Sequence, residues 1–517
     1  MSYGARLGRA IFWGQAGRVA EAVVFFLFYL FLARALGPAS YGLFALGMSL
    51  AGVCVFLTLL GLGPETLGRF VPEIAAGGRR DRARRLLGIL FAIRSAAVLA
   101  ASALVFVFRR TLAERFHFPL LSESLALVLL VFAARSAFDL LTYFSAGLLE
   151  LRRVAAAKLI ASLAAPGLFL ILWLRHVPSV NAAWLAIAVG SLAGIVVLAV
   201  PLLISDSAAS ARVQEALPLG RILAFGLLAW ATNFFLYVLG DNMDVLLLGW
   251  LVADRSAIGY YAVGAKIVFS LTGLLLGWAS LVSVPSFFVS WQQGGVAHLA
   301  RLVEAQWKFA VLCLVGPFVF LIRYAREVIA IFYAPAYSSS VAVVQILSGF
   351  TACAVVLGFS LGTSALYATS RERMACALIA AAAVFNVLAE IVLVRRMGVL
   401  GAAYATGMSF VLLAVLSAAA SRLYIPWRFP AIFVAKVVGA AAIATVPTIW
   451  FRPSSFLALL VGSVVWSVAF LAALALFKPL DQADSAALVR VNPHLRELAA
   501  VFSPQPAAVA GGTPWQA

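Results

Sequence analysis

Charge is scarce in this sequence, and acid is scarcer than base. Only 11% of the 517 residues are charged, against about 25% in an ordinary soluble domain. A chain this poor in charge cannot cover a soluble surface, and 64% of it is hydrophobic, so it belongs in a bilayer. The 38 Lys and Arg outnumber 20 Asp and Glu. They fall in short clusters between apolar runs rather than on one soluble face, so membrane topology explains them and no nucleic-acid partner is expected. The four cysteines (Cys54, Cys313, Cys353, Cys376) sit in apolar runs at irregular spacing without a CxxC, which argues against a disulfide or a metal site. His117, His176, His298 and His494 are scattered, and the chain has neither HExxH nor GxxxxGK[ST]. No cofactor and no nucleotide-driven cycle are therefore expected. The segment Met1 to Arg18 carries three arginines and no compact apolar core before a small-residue cleavage site. The first apolar run then serves as the targeting signal.

What is abundant is long apolar runs. A hydrocarbon core takes about 20 residues as a helix, and fourteen runs qualify: 11–33, 41–63, 86–108, 120–148, 154–174, 182–204, 219–240, 258–284, 309–332, 341–368, 374–394, 400–421, 431–450 and 456–477. They are continuous rather than alternating, so helices are expected and strands are not. A cytoplasmic N-terminus places most basic residues inside, including Arg79, Arg80, Arg82, Arg84 and Arg85 between the second and third runs. Arg109, Arg110 and Arg115 are the exception. An even number of spans puts the C-terminus inside as well. The polar, small-residue loop 205–218 divides the chain into an N-terminal lobe (1–204) and a C-terminal lobe (219–425), with two added helices in 426–480 and a cytoplasmic tail in 481–517. Leu488, Val489, Val491, Leu495, Leu498 and Phe502 mark an interfacial helix in that tail, and the last residues read as disordered.

The duplication behind two lobes is written at their first hairpins. In Arg34 to Gly47, Gly37-Pro38 breaks a helix and Tyr41-Gly42 starts the next. Gly42, Phe44, Ala45, Leu46 and Gly47 match Gly259, Tyr261, Ala262, Val263 and Gly264 at one constant offset. Together with GLGPETLGRFVPE (61–73), FYAPAYSSS (332–340), Asn386 and GVLGAAYAT (398–406), these strings resemble the polysaccharide-transporter branch of the multidrug/oligosaccharidyl-lipid/polysaccharide exporter superfamily, the family of Wzx-type O-antigen flippases, over about residues 10–425. The resemblance implies an all-α fold of two pseudo-symmetric six-helix lobes plus two helices in the bacterial inner membrane. It further implies a flippase carrying an undecaprenyl-pyrophosphate-linked oligosaccharide to the outer leaflet by alternating access. A coupling ion, H+ or Na+, and other polysaccharide-assembly membrane proteins are the implied partners, besides membrane lipid.

Charges inside the runs carry the functional evidence, since each costs about 2.5–3.5 kcal/mol near the bilayer centre on insertion scales. Arg18, Arg94, Arg135, Lys266 and Arg323 are the candidate substrate ligands, a basic cavity suited to an anion. Glu21, Asp139, Asp241, Asp244 and Glu390 are the candidates for ion coupling. Arg18/Glu21, Arg135/Asp139 and Arg323/Glu327 are also spaced as same-helix ion pairs, whereas Arg94 and Lys266 have no acidic neighbour at such spacing. Lys158 and Lys436 suit interfacial snorkelling. Trp230, Tyr237, Trp278 and Tyr367 fit either sugar stacking or packing. Arg34, Gly37, Pro38, Tyr41, Gly42 and Gly259 are read as structural hairpin residues. An envelope-glycan polymerase or ligase is the rival from another class, but the expected external loops are too short for its acid-base residues. A multidrug exporter would favour an acidic cavity, and a lipid II flippase shares the architecture.

Overall fold

The computed structural model describes residues 3–75, 80–175, 179–204, 219–482, 484–486 and 501–503; the side chains of 3–19, 80–81, 201–204, 228, 232, 276–282, 284 and 285 lie outside that description. The loop 205–218, the tail helix expected near 488–502 for the most part, Arg79, and the side chains of Arg18 and Trp278 therefore fall outside it. Among the described residues every regular element is helical. In chain order they are α1 (Tyr3–Leu57), α2 (Pro64–Ala75), α3 (Arg80–Val107), α4 (Arg109–Arg115), α5 (Pro119–Gly147), α6 (Leu151–Leu174), α7 (Val180–Ile204) and α8 (Leu219–Val238). There follow α9 (Asp241–Leu251), α10 (Arg255–Val328), α11 (Ser340–Val356), α12 (Leu361–Ala368), α13 (Glu372–Met397), α14 (Val399–Arg422), α15 (Ala431–Thr445) and α16 (Phe456–Phe477).

Thirteen helical stretches are long and apolar enough to cross a membrane, and one of them, Ala20–Leu57, has 38 residues and is divided at Gly37. Thirty-eight residues at 1.5 Å rise far exceed one bilayer core, so that stretch supplies two crossings, and the described residues are compatible with about fourteen. The chain is a multi-pass, all-α integral membrane protein. Gly37 takes φ 72°, ψ 171°, a region closed to most side chains, and Pro38 removes the next backbone donor. The two crossings turn there.

Two elements lie outside the expected runs. The string 61–73, which follows the second run, forms the amphipathic helix α2, whose Leu67, Phe70, Val71 and Ile74 pack on Leu86 and Leu90 of α3, Leu140 and Phe144 of α5 and Ile222 of α8. Each such side chain is worth about 1.5–3 kcal/mol where the alternative is water. The seventh run does not stop at 240. The helix breaks at Leu239-Gly240 and resumes as α9, with Asp241 and Asp244 in its first turn, where the helix dipole favours acid.

The chain divides into two compact units. The first holds Met1–Ser270, Tyr333–Val343 and Ile379–Thr406; the second holds Leu271–Phe332, Val344–Leu378 and Gly407–Ala517. In the first, the hairpin at Gly37 meets the start of α10. A Cβ on Gly42 would lie 2.7 Å from the Arg255 carbonyl oxygen, and one on Gly259 would lie 2.1 Å from that of Pro38. Arg255 stands to Pro38 as Gly259 stands to Gly42 at the repeat's offset, so the contact is reciprocal, as across a twofold axis. Nearby, the Tyr337 hydroxyl donates to the Ala33 carbonyl at 2.8 Å. In the second unit, Lys308 Nζ holds Asp481 and Asp484 at 2.8 Å each, joining α10 to the segment beyond α16.

Candidate functional site

Two polar constellations lie within the first unit, each assembled from helices far apart in sequence. One is acidic. Asp244 on α9 and Glu390 on α13 are both fully buried and within hydrogen-bond reach of each other. The Tyr261 hydroxyl on α10 donates to Asp244 Oδ2, and Thr406 Oγ1 on α14 donates to the same oxygen at 2.9 Å. Asp244 Oδ1, both Glu390 oxygens and both amide atoms of Asn386 have no hydrogen-bond partner. Asn386 stands one turn before Glu390, so both reach one face of α13. Two adjoining carboxylates cannot both stay charged in a dry interior without a cation or a shared proton. The oxygen-rich donor set suits either a proton or a hard monovalent cation.

The second constellation is basic. Arg135 sits near the middle of α5 with an exposed side chain, yet Asp139, Tyr29, Tyr143 and Tyr237 from α1, α5 and α8 are within its electrostatic reach. Its open side is therefore a polar cleft rather than lipid. Asp139 is reached by Arg135, Arg94, Lys158 and Glu21. Lys158 Nζ pairs with Glu21 Oε2 at 3.0 Å, a cross-helix bond from α6 to α1. Lys266 Nζ lies 4.3 Å from the Tyr29 ring centre, a cation–π contact that neutralises no charge. Arg94 is only 2% exposed and all three of its guanidinium nitrogens lack hydrogen bonds; its nearest counter-charge is Asp139.

A sequence profile of the family described as polysaccharide biosynthesis protein matches residues 31–342. The chain belongs to that family. A search of curated proteins finds no significant match. Among solved structures, the lipid II flippase MurJ in an inward closed conformation is similar, with a TM-score of 0.71 at 14% identity over 90% of this chain and 98% of that one. An inward-facing multidrug resistance MATE family transporter of the MOP superfamily gives 0.66 at 13% identity, covering 78% and 94%. At such identities the likeness is one of fold, and the fold of this polysaccharide biosynthesis family member is the MurJ/MATE fold.

Of the residues singled out by sequence, the structure gathers Glu21, Arg94, Arg135, Asp139 and Lys266 in or beside the basic cleft, and Asp244 and Glu390 in the acidic pocket. Asp241 is half-buried, facing Tyr41 and Tyr237. Arg323 lies in the second unit, where its guanidinium donates to the carbonyls of Thr448, Ile449 and Phe451 and pairs with Glu327 at 3.7 Å. Those bonds use its donors in closing the end of α15. Trp230 and Tyr237 each stack on Phe56, at 5.9 and 4.9 Å, and Tyr367 packs beside Leu366 and Ala375, so these rings are engaged in packing. Sequence reasoning passed over Tyr29 and Lys158 as cleft residues and Tyr261, Asn386 and Thr406 as pocket residues. Only the Asn386–Glu390 spacing carried a readable signal.

Proposed function

We propose that this protein is a flippase that moves an undecaprenyl-pyrophosphate-linked oligosaccharide from the cytoplasmic to the outer leaflet of the bacterial inner membrane. Two pseudo-symmetric lobes, 1–204 and 219–425, alternate in access, and both termini are cytoplasmic. The observation that carries this reading is Arg135, an open guanidinium at mid-span in a member of a polysaccharide biosynthesis family. A phosphate 4 Å from such a group gains roughly 4 kcal/mol at an effective dielectric near 20, and arginine can present two parallel donors to it. Lys266 adds a second charge that has no carboxylate partner among the described residues. Carrying a pyrophosphate through bare hydrocarbon would cost tens of kcal/mol by Born-type estimates, which a hydrated basic cleft removes in large part.

Asp244 and Glu390 supply the coupling site in this proposal. Loading a proton or Na+ between them changes the charge of a buried pocket by one unit, and the membrane potential contributes about 2.3 kcal/mol per charge per 100 mV. The glycan accumulating on the lipid carrier in a deletion strain tests the assignment. A polysaccharide repeat unit retained on the inner leaflet supports it. Accumulated peptidoglycan precursor would instead make the protein a lipid II flippase, and unchanged lipid-linked glycans with lost drug resistance would make it a multidrug exporter.

A further inference from the structure

A groove of about 290 Å³ runs between α1 and α6, lined by Val24, Leu27, Phe28 and Phe31 on one side and Pro166 and Leu170 on the other. Its lining is wholly apolar, and Leu27 (56%) and Leu170 (44%) remain open to the surroundings. The register of the two helices continues the groove to a charged end. Positions 24, 28 and 31 follow Glu21 along one face of α1, and 162, 166 and 170 follow Lys158 at one-turn steps along α6. The Glu21–Lys158 ion pair at 3.0 Å therefore closes the groove at that end. Lys158 and Glu21 also reach Asp139 and through it the basic cleft. From Lys158 to Leu170 is twelve residues, or about 18 Å of helix. The ion pair thus stands between a lipid-facing apolar channel and the polar interior.

We propose that this groove binds the isoprenoid chain of a polyprenyl phosphate, with the phosphate end at Lys158. The proposal rests on the flippase reading and deepens it by assigning where the carrier lipid lies. The charge at the groove's end selects an anionic head. The wholly apolar lining suits a hydrocarbon chain, and because Lys158 and Arg135 both lie within electrostatic reach of Asp139, a phosphate at Lys158 lies beside the basic cleft. The head group competes with Glu21 for Lys158, so the resting ion pair is a placeholder that the phosphate displaces.

The test uses the full chain in vesicles of phosphatidylethanolamine and phosphatidylglycerol doped with undecaprenyl phosphate, with a photoreactive amino acid at Leu27. The control carries it at Leu99, a 71% exposed residue on α3. We expect the polyprenyl adduct at Leu27 to exceed that at Leu99 by about tenfold, the factor equivalent to ~1.4 kcal/mol. Lys158→Gln should lower it towards the control and Lys158→Arg should retain it. Leu170→Trp, which fills the groove without touching the charge, should lower it too. Equal adducts at Leu27 and Leu99, or adducts at Leu27 made only of phospholipid, would overturn the proposal. Labelling does not require transport: a persistent adduct in a protein that moves no glycan supports the groove and removes the flippase reading, whereas normal glycan movement without an enriched adduct removes the groove alone.

Discussion

Gly259→Ala offers a perturbation whose size can be taken from the structure. The added Cβ would stand 2.1 Å from the Pro38 carbonyl oxygen, and ordinary contact begins at 3.4 Å, so the two hairpins must separate by more than an ångström. The carbonyl is main chain on α1 and the Cβ is fixed directly to the main chain of α10, so no rotamer change can relieve the clash. Overpacking of this kind costs about 1–3 kcal/mol. Gly68→Ala is the matched control: it lies inside α2 with open space around its Cβ position, where the same change should stabilise the helix by about 0.5–1 kcal/mol. Thermal unfolding of the purified protein, monitored together with the amount recovered from membranes, should show Gly259→Ala several degrees below wild type and Gly68→Ala at or above it. If the two variants behaved alike, the close approach of the hairpins would not be a feature of the folded protein. The assignment of Gly42 and Gly259 to packing would fall with it.

Wild type should gain heat stability from Na+ or from lowered pH in a heat-inactivation assay; Glu390→Gln and Asp244→Asn each leave one carboxylate in the acidic pocket, so each should fold and each should abolish that gain. Arg135→Ala should weaken glycan-lipid binding at least tenfold, an effect on the scale of one charge pair in a half-screened site, while Arg94→Ala should mainly reduce folded yield because Asp139 loses a buried counter-charge; Arg94→Lys should restore that yield in part. Asp481 lies beyond α16, and although burial pushes its carboxyl upward, the Lys308 ammonium and the Asp484 backbone amide hold it below its ordinary 3.8. A depressed folded value means the link is fully present above 3.8 and is lost as pH falls through the lower folded value, so Asp481→Asn should lower heat stability at pH 7 and cost progressively less as pH falls below 3.8.

Architecture was legible because hydrocarbon imposes a simple length rule, and α3, α5, α6 and α16 lie close to the runs read from the sequence. The broken elements were not. The second run ends at 63, but a count of long apolar runs cannot register α2, a 12-residue helix too short to span and apolar on the face that packs on α3 and α5. The Leu239-Gly240 break was likewise hidden, and with it the burial of Asp244. At the sites, the sequence exposed the costly charges but not their partners. The Glu21 carboxylate bonds Lys158 on α6, a pairing that same-helix spacing could not suggest. Arg323 looked like a cavity cation, yet it serves backbone carbonyls at the end of α15. Pairing across helices depends on which faces meet, and that is settled by packing rather than by position along the chain.

The reciprocal contact of Pro38 with Gly259 and of Gly42 with Arg255 has a consequence for how this chain can vary. One gap is shared by both glycines, so each side chain added there consumes the same clearance. Once an alanine at either position has forced the hairpins apart, an alanine at the other meets a space already opened. The second substitution should then do less harm than it does alone, a sub-additive coupling of the kind expected for residues in direct contact. The pair behaves as a single locus spread over two distant stretches of sequence, and its members are expected to drift from glycine together or not at all.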